Sequence, residues 1–138
     1  MRRQDTSAWT GRRVSGSHLQ LVAGATENFV HKLPLSAREH IPYRDALTNL
    51  PNRFLLADRL RQALLQSQRR RHGLAVAYLD LEGIKNIHET HGRGVHDDFL
   101  VSIAQRMRQV MREGDTLARL RNDEFVAVLV DLTACAVS

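Results

Sequence analysis

One cysteine, Cys135, stands in the whole chain of 138 residues. An intrachain disulfide and a multi-cysteine zinc site are both excluded, and a reducing compartment fits. Lysine is nearly as scarce: only Lys32 and Lys85 occur, so the formal net charge of +5 rests on arginine. Aromatics make up 5% of the residues, and the arginines are scattered apart from Arg69-Arg70-Arg71. Nucleic-acid surfaces combine clustered cations with rings on which bases stack, so nucleic acid is not an expected partner. No apolar run approaches the roughly 18 residues of a membrane-spanning helix. Met1-Arg2-Arg3 opens like a secretory leader, but no apolar core follows. The expectation is a cytoplasmic protein without a membrane segment.

What is present is ordinary for a globular chain: 43% hydrophobic and 25% charged residues, enough length for one domain and an extension. Residues 1–42 mix Ser, Gly, Thr and Arg with short apolar pieces and carry neither sustained periodicity nor heptads. They are expected to be a flexible N-terminal extension, with the domain over 43–134 and a short tail at 135–138.

Regular patterns begin at Pro51. Pro51 and Asn52 offer a helix start, and Phe54, Leu56, Leu60, Ala63 and Leu64 share one face, predicting a helix to about Gln68. Leu74 to Leu79 is almost wholly apolar and reads as a strand buried on both faces, delivering Asp80 at its end. Asp97 and Asp98 suit the start of a second helix, with Phe99, Leu100, Ile103, Ala104, Met107, Val110 and Met111 as its core stripe and Gly114 as its stop. Two β-prone runs, Thr116 to Leu120 and Phe125 to Val130, flank Arg121-Asn122-Asp123-Glu124 and read as a hairpin. Acids at a hairpin tip suit a hard cation carrying phosphates, although they also suit a merely solvated turn.

Three segments in one register carry a resemblance. D-A-L-T-N-L-P-N-R (Asp45 to Arg53), D-L-E-G-I-K-N-I-H (Asp80 to His88) and R-N-D-E-F (Arg121 to Phe125) together resemble a GGDEF domain, the family of diguanylate cyclases that condense two GTP into cyclic di-GMP. The resemblance runs from about Tyr43 to Leu132. It implies an α+β fold, a partial ferredoxin-like nucleotide cyclase with a mostly antiparallel sheet and helices packed on it. It implies Mg²⁺ (or Mn²⁺) on Asp80 and Asp123, with Asp123 and Glu124 as the catalytic acids. Lys85 would reach the triphosphate, Asn52 would shape its phosphate end, and His88 and Asp97 hold the positions that read guanine. Arg112 and Asp115, as R-E-G-D, coincide with the family's inhibitory product site, while equally fitting a helix-end arginine and a turn aspartate. Catalysis would require a homodimer presenting two GTP sites.

The departures from the family pattern are specific. Arg121 and Asn122 replace the two signature glycines, His88 replaces the guanine-reading asparagine, Arg93 the family histidine and His96 a glycine. An imidazole cannot offer a donor and an acceptor on one planar edge as an amide does. Asn122 tolerates a left-handed backbone, whereas Arg121 does not and is expected to obstruct the pocket. His88, His91 and His96 with Glu89, Asp97 and Asp98 also invite a zinc reading. The family domain continues beyond the hairpin with a further helix and strands, so Leu74 to Leu79 is expected to show an unpaired apolar edge. Three functions fit these residues: an impaired diguanylate cyclase, a non-catalytic GTP or cyclic di-GMP binding module, and a structural remnant that binds neither.

Overall fold

The computed structural model describes residues 32–38 and 41–133. In chain order it contains α1 (Leu35–Arg38), α2 (Arg53–Arg70), β1 (Gly73–Asp80), α3 (Ile84–His91), α4 (Arg93–Val110), β2 (Thr116–Arg121) and β3 (Glu124–Leu132). The strands form one antiparallel sheet in the order β1-β3-β2. This is the expected α+β arrangement of helices on an antiparallel sheet. The expected lead-in over 1–42 falls mostly outside the described residues, and the tail at 135–138 wholly so.

Side chains alternate across each strand, so the sheet presents two faces. One carries Leu117, Phe125 and Ala127 against Leu50, Ile84, Leu100 and Ala104, which places α3 and α4 on that side. The other carries Val128 against Leu60, Ala63 and Leu64 of α2. Phe125 and Leu100 are fully buried, so both neighbours of the hairpin are anchored in one core.

Helix α2 starts where the sequence indicates. Asn52 is its cap, with the side-chain oxygen accepting from the Phe54 and Leu55 amides at 3.0 and 3.2 Å. Capping of this kind contributes about 1 kcal/mol. The helix extends two residues past the expected Gln68 and stops where Arg71 turns left-handed at φ 56°. In front of it the chain forms a tight loop: Asp45 N–H donates to Leu50 O at 2.7 Å, Asn49 N–H to Asp45 O at 2.8 Å, and Arg44 bridges to Pro51.

Four expectations need correction. Residues 84–91, for which the patterns above predict no helix, form one. Gly83 at φ 83° reverses the chain, and Ile84, at 1% exposure, anchors the new helix; eight residues are too few to show a clear period. Helix α4 starts at Arg93, so Asp97 and Asp98 lie past its first turn rather than at its N-terminal dipole. It ends at Val110, where Met111 becomes extended, and of its proposed stripe Phe99 and Val110 remain exposed while Leu100 and Ala104 are buried. Strand β1 is not buried on both faces: Val76 and Tyr78 are exposed, because α2 packs more heavily over the β2 side of its sheet face. Among the described residues β1 pairs with β3 alone.

Candidate functional site

The hairpin is tighter than its sequence suggested. Arg121 and Glu124 already pair as strand residues, leaving Asn122 and Asp123 as the connection. Asn122 takes φ 42°, a conformation its short amide tolerates, and Arg121 keeps strand geometry. A register shift between Arg119 and Arg121 frees Leu120 from the ladder and re-aims the tip.

Strand β1 brings Asp80 to that tip. Asp80 pairs directly across from Glu124, and the next residue, Leu81, donates its N–H to the Asp123 carbonyl at 3.1 Å. Residues 43 positions apart in sequence thus meet at one end of the sheet, and both expected metal carboxylates stand on it. Asp123 Oδ1 is buried and has no hydrogen-bond partner among the described residues. His96 Nε2 stands 3.7 Å from that oxygen, and His96 Nδ1 lies 3.4 Å from Asp97 Oδ1. The His88 ring meets His96 edge-on, 5.5 Å between centroids. Helices α3 and α4 therefore bring His88, His96 and Asp97 beside Asp123. Lys85 stands one residue into α3, exposed.

An orphaned carboxylate oxygen, at the end of the sheet where β1 also delivers Asp80, is the kind of donor a hard divalent cation takes. Mg²⁺ is commonly held by one or two carboxylates, with phosphate and water oxygens completing its shell. Asp80 and Asp123 are the residues that would hold it. The zinc reading does not assemble: among the described residues no three His, Cys, Asp or Glu side chains come together as a metal group.

Glu124 is not free. Arg121 Nε donates to Glu124 Oε2 at 3.0 Å, and the Tyr78 hydroxyl also bonds to that carboxylate. The Arg121 bond, then Tyr78, hold the Glu124 carboxyl below its ordinary range. Tyr78 is pushed up in turn, chiefly by its bond to Glu124. Arg121, expected to obstruct the pocket, folds along the hairpin with its side chain 76% exposed and engages the acid instead.

Behind the tip lies an anchor that the sequence did not reveal. Arg119 Nη1 donates to both Asp45 oxygens at 2.9 and 3.1 Å, while its Nε donates to the Asn122 carbonyl at 3.0 Å. Asp45 also accepts from the Thr48 amide and hydroxyl at 2.8 and 2.7 Å. Burial alone would raise its carboxyl, but the Thr48 bonds and Arg119 more than offset this and hold it below the ordinary value. The Asp45-x-x-Thr48 spacing was the available signal, since an acid three residues before Thr closes a turn.

The remaining candidates lie apart from this cluster in the bonds they make. Asn52 is committed to capping α2, and its Nδ2 donates to Pro42 O. Asp115, with 4% of its side chain exposed, accepts from Val130 N–H at 3.1 Å and from Arg112 N–H at 3.1 Å. Arg112 reaches Asp115 with Nε at 3.4 Å and Val130 O with Nη2 at 2.6 Å. Both residues of the R-x-x-D pair thus fasten the end of α4 to β3. They also line a cleft of about 380 Å³ together with Arg44, Arg59 and Arg108.

Comparison with known proteins decides the family. Residues 42–137 match the family model described as "Diguanylate cyclase, GGDEF domain". The chain belongs to the GGDEF family. It is 45% identical over 85 residues to the bifunctional diguanylate cyclase/cyclic di-GMP phosphodiesterase MucR of Pseudomonas aeruginosa, covering 62% of this chain and 12% of MucR. It is 40% identical over 97 residues to the diguanylate cyclase TpbB of the same species, covering 70% of this chain and 22% of TpbB. The solved GGDEF domain of TpbB superposes with TM-score 0.64 at 41% identity, over 67% of this chain and 54% of that one. This GGDEF chain therefore spans about half of that solved domain and a small part of the full-length relatives.

Proposed function

We propose that this GGDEF chain acts in cyclic di-GMP signalling as a diguanylate-cyclase-like module that binds Mg²⁺–GTP (or Mn²⁺–GTP) with impaired turnover. The observation that carries the reading is the meeting of Asp80 with the Asp123-Glu124 tip, with Asp123 Oδ1 left unpartnered while Arg121 holds Glu124. A bound divalent cation would neutralise phosphate charge and make a ribose hydroxyl a better nucleophile. The chain's own part is positional. Rigid strands hold Asp80 and Asp123 for the cation, and Lys85 supplies a mobile point charge for phosphate.

Impairment has three sources. Arg121 neutralises Glu124, His96 stands beside Asp123 where the family pattern has glycine, and His88 cannot reproduce the hydrogen-bonding edge of asparagine for guanine. A missing matched hydrogen bond to a substrate edge costs orders of magnitude in discrimination. Condensing two GTP would also require two copies presenting their sites to each other. GTP as substrate and the single free thiol both suit the cytoplasm, and no described helix is long and apolar enough to cross a membrane.

The arginine-lined cleft beside Arg112 supports a second reading, a cyclic di-GMP receptor. Guanidinium groups suit phosphate, but Asp115 would have to exchange its internal bonds before holding a base. Calorimetric titration with GTP–Mg²⁺ and with cyclic di-GMP tests both. GTP binding with little or no product on long incubation supports the impaired cyclase, and rapid accumulation of cyclic di-GMP overturns the impairment. Cyclic di-GMP binding alone, abolished by Arg112→Ala, selects the receptor. Silence with both ligands, from a chain shown to be folded, defeats both readings.

A further inference from the structure

We propose that Asp45 and Arg119 are positioning residues for the cation site, setting the aim of the Asp123 carboxylate through the backbone carbonyl of Asn122. This rests on the reading that Asp123 takes a divalent cation.

A peptide unit is planar, so holding one of its atoms in place restricts the direction in which the next Cα leaves it. The Asn122 carbonyl and the Asp123 amide share one such plane, and Arg119 Nε holds its oxygen at 3.0 Å. The plane on the far side of Asp123 is held too, by Leu81 N–H on the Asp123 carbonyl at 3.1 Å. Between two held planes both backbone torsions of Asp123 are set. Its Cβ then keeps the direction that buries Oδ1 and leaves that oxygen unpartnered. The strand ladder does not supply the first of these holds. The register shifts between Arg119 and Arg121, so Leu120 contributes no paired rung beside the tip.

Arg119 is itself held from outside the hairpin. Its Nη1 donates to both oxygens of Asp45 at 2.9 and 3.1 Å, and its backbone N–H donates to Pro51 O at 3.0 Å. Asp45 is fixed in turn by the Thr48 amide and hydroxyl at 2.8 and 2.7 Å. The side chains of Arg119 and Asp45 are only 11% and 21% exposed, so water screens the pair poorly. A guanidinium bonded at both ends of its fork keeps one rotamer. Deprived of the Asp45 charge, it becomes a largely buried cation without its counter-ion, turns toward solvent and releases the Asn122 carbonyl. The loop ahead of α2 thereby governs a carboxylate presented by a hairpin far along the chain.

Titration of the full chain with Mn²⁺, read by loss of the free-ion EPR signal, tests this. Asp45→Asn keeps an oxygen for the Thr48 amide but loses the charge, and should weaken Mn²⁺ binding about fivefold. Arg119→Lys should act alike, since one ammonium cannot fork between a carboxylate and a carbonyl, and it carries the test if Asp45→Asn fails to fold. The double variant should bind no more weakly than the weaker of the two single variants, because both act at one carbonyl. Leu64→Ala, which destabilises the fold from the other face of the sheet, should leave the affinity unchanged. Wild-type affinity in both Asp45→Asn and Arg119→Lys overturns the proposal and leaves Asp123 as a cation ligand. An equal loss in Leu64→Ala does the same, by assigning the effect to general destabilisation. A wild-type chain that takes up no Mn²⁺, or uptake that survives Asp123→Asn, removes the cation reading itself and the proposal with it.

Discussion

Arg119 grips both carboxylate oxygens of Asp45, 74 residues away in sequence, and with its Nε holds the carbonyl of Asn122. One guanidinium therefore ties the loop before α2 to the hairpin tip that presents Asp123. Removing one partner of a half-buried pair leaves the other charge desolvated. Arg119→Ala should cost about 2 kcal/mol in chemical denaturation. It should also loosen the tip, seen as faster amide exchange at Asn122 and Asp123.

The same pair gives the fold an acid dependence. Asp45 titrates below its ordinary 3.8 in the folded chain. Its contribution is fully present above that value and is lost as pH falls from there through the lower folded value. Asp45→Asn should be less stable than wild type at neutral pH, and the difference should shrink below about pH 4. Urea denaturation across that range measures it.

Arg121 restrains Glu124, so releasing it should be visible in two ways. Arg121→Gly should let the Glu124 carboxyl rise toward its ordinary 4.5, followed by NMR titration. It should also tighten GTP–Mg²⁺ binding by about tenfold, or ~1.4 kcal/mol. An unchanged affinity would mean that Glu124 takes no part in binding.

His96 crowds the orphaned oxygen of Asp123. His96→Gly should strengthen Mn²⁺ binding several-fold, read by the loss of the free-ion EPR signal, while Asp123→Asn in the same background should abolish the gain.

Asp115 and Arg112 should separate cleanly. Asp115→Ala removes a buried carboxylate and strands the Val130 and Arg112 amides, for a loss of about 2–3 kcal/mol by thermal or urea unfolding. Arg112→Ala, at 60% side-chain exposure, should cost no more than about 1 kcal/mol and so remain usable as a ligand-binding probe.

The sequence alone was sufficient for whatever depends on neighbours along the chain. Asn52 caps α2 because its side chain reaches amides two and three residues on, and the Leu60-Ala63-Leu64 face follows from the helical period. Asn122 takes the left-handed turn position its residue type allows, and Asp80 ends its strand opposite the hairpin as the family register implies. The eight-residue helix α3 escaped because it is held by burial of Ile84 rather than by a long period. The start of α4 at Arg93 was hidden for a related reason, since the acids at 97 and 98 looked like an N-terminus. Only the tertiary structure could decide the partners of charged side chains. Arg121 could have blocked a pocket or bound a phosphate; it found Glu124 because strand pairing sets them opposite each other. Arg119 found Asp45 across a separation that no local pattern encodes. Ion pairs between distant residues depend on how the sheet and helices pack, and packing is a property of the whole chain.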